Sequence, residues 1–197
     1  ISGCVFTSNE AITGGALNVS VNTHVTLDNC TFYGNSATNG GNINVTAGGY
    51  VEISNSIVAN ATGGGGLKTD LGATVSFACN DFWDNTGGDI IGAHGPGNVD
   101  ANTIFADPHF CDAASADFTI PATSLCAAAQ SPCSVLIGAR DVGCPYICGD
   151  PNADGVIDSF DVNYLVEYLY LEGPAPNPYE SGDVNCVTGI TIGDVSW

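Results

Sequence analysis

Positive charge is almost absent from this chain. Lys68 and Arg140 are its only Lys or Arg residues, three histidines aside, against 21 Asp and Glu, for a formal net charge of −19. Such a surface repels phosphate backbones, which excludes nucleic-acid binding, and it disfavours anionic membranes for the same reason. Cations are its natural partners, calcium above all. Long apolar runs are also missing: no stretch reaches the roughly 18 residues that a membrane-spanning helix needs. Methionine is absent, and helical spacing of apolar residues is not found before residue 158. No signal peptide is recognisable. That carries little weight, because Ile1 starts in mid-repeat and Trp197 ends inside an expected helix, as in a piece of a longer precursor.

Glycine, asparagine and cysteine are plentiful instead. Glycine-led segments recur at Gly14, Gly40, Gly64 and Gly88, intervals of 26, 24 and 24 residues, and Val25, Val51 and Val75 keep the same period. Three registers on one period signal a repeat architecture. Each unit holds short alternating runs of Val, Ile, Thr and Phe broken by Gly and Asn, hence strands and turns. A coil of roughly 25 residues with three short strands predicts a right-handed parallel β-helix over residues 1 to about 93. Stacked coils, about 4.8 Å apart, place like residues in ladders. Val25/Val51/Val75, Leu27/Ile53/Phe77 and Phe6/Phe32/Val58/Phe82 are the expected interior ladders. Asn29/Asn55 and Asn9/Asn35/Asn60/Asn85 are expected at turns, where Asn tolerates left-handed backbone. Cys4 and Cys30 share a ladder position, either bridged or stacked as free thiols. Asn18, Asn29, Asn44 and Asn60 each head a glycosylation sequon, a pattern that chance produces easily in Asn/Thr-rich turns.

The period breaks at residues 94–145. Asp107-Pro-His-Phe110, Asp117-Phe-Thr-Ile120, Ser131-Pro-Cys133 and Ile137-Gly-Ala-Arg-Asp-Val-Gly-Cys144 resemble the closing segment of bacterial secreted β-helix proteins. The resemblance implies a cap on the last coil, whose strand edge and apolar end need cover. Cys111, Cys126, Cys133 and Cys144 are expected to form two bridges there, in any of three pairings. With nine cysteines, an extracellular, cell-surface location is expected. The cap completes a first domain of residues 1–145; residues 146–197 form a second.

That second domain carries the clearest chemistry. Asp150, Asn152, Asp154, Asp158 and Asp161 stand at positions 1, 3, 5, 9 and 12 of a 12-residue loop, with Gly155 at position 6 and the Val156 carbonyl at position 7. A hard cation wants six or more oxygens, and this spacing wraps them around calcium. A helix is expected from Ser159 to Glu172, with Phe160, Tyr164, Leu165, Tyr168 and Leu169 on one face and Gly173-Pro174 closing it. A second loop follows 33 residues on: Asp183, Asn185, the Gly189 carbonyl, Thr191 and Asp194 at positions 1, 3, 7, 9 and 12. Val187 and Thr188 replace the ligand and glycine at positions 5 and 6, so this site is the weaker. The duplicated loop–helix over residues 147–197 resembles type I dockerin modules. The resemblance implies calcium-dependent folding and docking to a cohesin-like partner. It departs from the family at positions 10 and 11, Ser159-Phe160 and Ile192-Gly193, where a hydroxyl pair is usual. Cys148 and Cys186 are placed to bridge the two loops.

The expected function is that of an extracellular structural or adhesive protein, assembling through its ends or its calcium module into a filament or surface scaffold. The alternative is a polysaccharide lyase or glycoside hydrolase fragment anchored through dockerin and cohesin. A lyase needs a basic residue to take a proton, and only Lys68 and Arg140 exist. A hydrolase needs paired carboxylates, for which Asp81, Asp84 and Asp89 are the candidates, although acidic turns on a solvated face explain them more simply. A glycan-binding module, the third reading, has Tyr33, Tyr50 and Trp83 to offer. His94 and His109 lack a second ligand at useful spacing and read as surface turn histidines.

Overall fold

Strands that are buried on one face need apolar residues at alternate positions, and each repeat supplies them in the same places. A computed structural model describes residues 1–197 except 96, 98, 145–148, 177, 178, 183, 185–189, 196 and 197 and the side chains of 179 and 180. The chain divides into two compact units, Ile1–Gly143 and Cys144–Trp197.

The first unit is a parallel β-solenoid of about three turns. One sheet stacks β1 (Val5–Thr7), β5 (Thr31–Tyr33), β9 (Ile57–Ala59) and β12 (Asp81–Trp83). A second stacks β3 (Leu17–Val19), β7 (Ile43–Val45), β10 (Leu67–Thr69) and β13 (Ile90–Gly92). The third contains β4 (His24–Asp28), β8 (Tyr50–Ser54) and β11 (Thr74–Ala78), and β2 (Glu10–Thr13) pairs with β6 (Ser36–Asn39). All of these pairings are parallel, and the three expected apolar ladders form in register. Leu27, Phe32, Ile43, Val51, Val58, Leu67 and Phe82 share one buried core. Phe6 lies flat on Phe32, with ring centroids 4.7 Å apart.

The turn ladders differ from the expectation in register. Asn29 and Asn55 do take left-handed backbone, with φ of 46° and 49°, and Cys79 continues their position at 54°. Asn60 is also left-handed, but β9 and β12 pair Ala59 with Trp83, so Asn60 faces Asp84 and not Asn85. The Asn9/Asn35/Asn60/Asn85 ladder is therefore corrected to Asn9, Asn35, Ala61 and Asn85. Asn35 and Asn85 are buried and hydrogen-bonded, with no left-handed strain to relieve. The glycine register slips as well, because Leu67 pairs with Ile90 and so brings Gly65, not Gly64, opposite Gly88.

Asn42 joins these buried amides. Asn35 Nδ2 donates to Asn42 Oδ1 at 2.7 Å, and Asn42 Nδ2 donates to Asn85 Oδ1 at 3.0 Å and to the Ala59 carbonyl at 3.2 Å. Asn85 in turn receives the Ala61 amide at 3.0 Å and donates to the Val58 carbonyl at 2.9 Å. A chain of amides thus crosses the coil interior and answers backbone groups of several coils.

Residues 99–143 do more than cap the end. Val99 packs on the core, and Ile104 extends the first sheet by accepting from the Phe82 amide at 3.1 Å and donating to the Asn80 carbonyl at 2.8 Å. The open edge of β12 is thereby paired. The chain then folds back as a strap over the outer face of that sheet. Ile120, Cys126, Ala127 and Ile137 of the strap bury Ile57 and Ala59 in a second apolar layer. Asn29 Nδ2 donates to the Leu136 carbonyl at 2.8 Å and the Gly138 amide to the Asn55 carbonyl at 2.7 Å. Gly138 sits at φ 108°, and a Cβ there would stand 2.7 Å from Ile57 Cδ1, so the close approach needs glycine.

The disulfides correct the four-cysteine expectation. Cys79 of the third coil is bonded to Cys133 of the strap, across 54 residues, whereas Cys126 is free and fully buried beside Asp81. Cys111 and Cys144 are each disulfide-bonded. Cys4 and Cys30 are free thiols. Replacing both Cys79 and Cys133 by Ala is expected to cost about 4 kcal/mol from loop-closure entropy. Urea unfolding of the oxidised parent and the variant measures it; equal midpoints would contradict it.

In the second unit, α1 (Ser159–Tyr170) and α2 (Ile192–Val195) are the α-helices among the described residues, with a 3₁₀ turn at Tyr179–Gly182 between them. Leu165 is buried and Tyr164, Tyr168 and Leu169 are half-buried, but Phe160 is exposed. Phe160 therefore leaves the expected apolar face, since it sits in the first turn beside the loop. Glu172 turns left-handed at φ 57°, and the Gly173 amide returns to the Glu167 carbonyl, ending the helix.

Candidate metal site

Short polar side chains that bond to amides two to five residues ahead curl a chain into a tight loop, and residues 150–161 do this repeatedly. Asp150 accepts from the Asp154 amide at 3.1 Å and the Gly155 amide at 2.8 Å. Asn152 Oδ1 accepts from the Asp154 amide at 2.8 Å, and Asp154 Oδ1 from the Val156 amide at 2.9 Å. Gly155 takes φ 85°, the backbone that position 6 demands.

The loop ends in a reciprocal cap. Asp158 accepts from the Phe160 amide at 2.7 Å, while Asp161 Oδ2 accepts from the Asp158 amide at 2.8 Å, and together they start α1. Asp161 is buried at 3% exposure, and its other oxygen, Oδ1, has no partner. Burial first, then the neighbouring Asp150 and Asp154 carboxylates, push its pKa above the usual range. A buried acceptor without a donor, facing two other carboxylates, is electrostatically incomplete. Carboxylate, amide and carbonyl oxygens in this order are the donor set that a hard cation takes, so the residue types present fit calcium.

The oxygens are not gathered on one point: among the described residues no three His, Cys, Asp or Glu side chains form a metal-binding group. The carboxylates are turned instead towards the loop's own amides. In the second loop Asp183, Asn185 and Gly189 lie outside the described residues, as does the Cys148–Cys186 pairing. Its end repeats the first: Asp194 is buried and accepts from the Thr191 amide at 2.8 Å, and Thr191 Oγ1 accepts from the Gly193 amide at 3.2 Å.

The other candidates are dispersed. Asp81 is fully buried under the strap, contrary to an acidic turn on a solvated face. Asp84 is exposed, 3.4 Å from Asn60 Nδ2, and Asp89 accepts from Asn85 Nδ2 at 2.7 Å. Tyr33 packs edge-on to Phe110 in the strap layer. Tyr50 stacks on His24 at 4.3 Å, and its hydroxyl donates to Glu52 at 2.7 Å, holding that carboxylate below its usual range. His109 is exposed, 3.7 Å from Asp107, whereas His94 is half-buried with Nδ1 unpartnered.

Asn42 was hidden from sequence reasoning, as was the burial of Asp81. Asn42 has Ala16 and Gly66 as its ladder equivalents, so no repeat marks it. The cue was Gly66, where a Cβ would stand 2.7 Å from Asn85 Cγ.

A family described as a domain of unknown function, DUF5123, matches residues 25–152. The chain belongs to this family. The match runs from β4 through the strap to Asn152, the third residue of the calcium-type loop. Neither the curated proteins nor the solved structures yield a match.

Proposed function

We propose that this protein is an extracellular structural or adhesive component, a β-solenoid spacer carrying a dockerin-like calcium module that joins it to a cohesin-like partner or to further copies of itself. Asp150, Asn152, Asp154, the Val156 carbonyl, Asp158 and Asp161 hold one calcium ion tightly. Asp183, Asn185, the Gly189 carbonyl, Thr191 and Asp194 hold a second more weakly. Bound calcium neutralises the loop carboxylates and lets the module fold around them. The observation that carries this reading is the buried, unpartnered Asp161 Oδ1 beside Asp150 and Asp154. The repeated cap at Asp194 supports the duplication, and the net charge of −19 supports a cation as partner.

Asp154→Ala and Asp161→Ala are each expected to abolish most calcium affinity of the first loop, read by isothermal titration. Unchanged binding in both variants defeats the reading. Electron microscopy with millimolar calcium and then with excess chelator tests assembly. Filaments that fray on chelation support self-association; discrete particles in both conditions leave a cohesin-like partner, checked by pull-down.

A further inference from the structure

Among the described residues of the first unit, Asp81 is the fully buried acid, and its surroundings come from two separate segments. It sits on the outer face of β12, wholly shielded from solvent. Both contacts to its carboxyl come from the strap: the Ala106 amide donates to Oδ1 at 3.1 Å, and the Cys126 thiol lies 3.3 Å from Oδ2. The other charged groups acting on it are Asp89, on the turn after β12, and Asp107, in the strap, both of like sign. His109 lies 3.7 Å from Asp107 and Lys68 is engaged by Asp70 at 2.8 Å, and the charges acting on Asp81 are those of Asp89 and Asp107.

We propose that the Asp81 carboxyl is a pH-operated latch: neutral, it holds the strap segment Ala106–Ile137 on the flank of the solenoid, and ionised, it favours local lifting of that segment while the Cys79–Cys133 disulfide keeps it tethered. Two amide-type or thiol donors cannot replace the water that a buried carboxylate loses, whereas lifting the strap rehydrates it at once. Burial raises its pKa from 3.8 to about 7, with Asp89 and Asp107 adding to the rise. The sign follows from proton linkage. Closed protein keeps the proton across that window and open protein does not, so closure is favoured at low pH and weakens as pH rises towards about 7. Cys126, free and buried in the same layer, becomes reachable only when the strap lifts.

Hydrogen exchange on the full, oxidised chain between pH 5 and pH 8 tests this, corrected for the base-catalysed intrinsic rate. The Ala106 and Ile137 amides, both hydrogen-bonded in the closed strap, are expected to lose protection roughly tenfold per pH unit up to about pH 7 and then level off. The Ile43 amide of the core is expected to lack this dependence, and Asp81→Asn to flatten it at Ala106 and Ile137. Alkylation of Cys126 by an uncharged reagent, normalised to its rate in unfolded protein, follows the same profile. A flat wild-type profile, an unchanged slope in Asp81→Asn, or a slope shared with Ile43 overturns the latch. If Asp81→Asn does not fold, the wild-type contrast between strap and core still decides.

Discussion

Asn42→Leu is expected to destabilise the solenoid unit by roughly 2–4 kcal/mol, because it leaves one buried N–H of Asn35 unpaired and takes one of two partners from two further buried groups. Asn35 Nδ2 loses one of its two acceptors and keeps the Phe6 carbonyl, while Asn85 Oδ1 and the Ala59 carbonyl each lose one of two donors and keep the Ala61 and Gly34 amides. None can turn to water, since Asn35, Ala59 and Asn85 are all buried. Leucine also brings a branched group into space tailored to an amide, where overpacking adds strain. Asn18→Ala, at the exposed end of a ladder, removes only the acceptor of the buried Asn44 amide and is expected to cost about 1 kcal/mol. Urea unfolding followed by fluorescence compares the two variants. If Asn42→Leu costs no more than Asn18→Ala, the amide chain is not a source of stability.

Calcium removal is expected to have an effect of similar size, confined to the unit Cys144–Trp197. With an affinity near 1 µM, 1 mM calcium stabilises a folded unit by about 4 kcal/mol over the calcium-free state. The physical source is the set Asp150, Asp154 and Asp161: burial first, and then the two neighbouring carboxylates, push the Asp161 carboxyl above its usual range, and a cation relieves both. The helical circular dichroism signal is the specific reporter, because α1 and α2 are the α-helices among the described residues and both belong to this unit. Chelator is expected to lower the melting temperature of that signal by many degrees and leave the solenoid transition in place. Superimposable melting curves with and without calcium would remove the coupling of metal to folding. Magnesium, which demands tighter octahedral geometry and gives up water reluctantly, is expected to substitute poorly.

Much of the solenoid was legible because a coil writes its contacts into a period. Val25, Val51 and Val75 touch in space for the same reason that they recur in sequence: each coil pairs in parallel with the next. The 12-residue spacing from Asp150 to Asp161 was equally local, as every hydrogen bond that curls the loop spans five residues or fewer. The Asn60 register was misjudged for a physical reason. Left-handed turns and interior amides both use asparagine one position apart, and only strand pairing separates them.

Sequence by itself therefore determined the coil, its interior ladders, the calcium-type spacing and the acidic character that points to cations. These depend on neighbours along the chain or on a fixed repeat, so identity and spacing suffice. The tertiary structure alone decided that Cys79 bonds Cys133, that Cys126 stays free, and that residues 99–143 run back along a flank. It alone buried Asp81 beneath them. Those outcomes rest on contacts between an aperiodic segment and coils 20 to more than 100 residues away. No spacing records such contacts, because loop closure constrains their free energy only weakly with length, and the packing of Ile57, Ala59 and Ile137 selects among them.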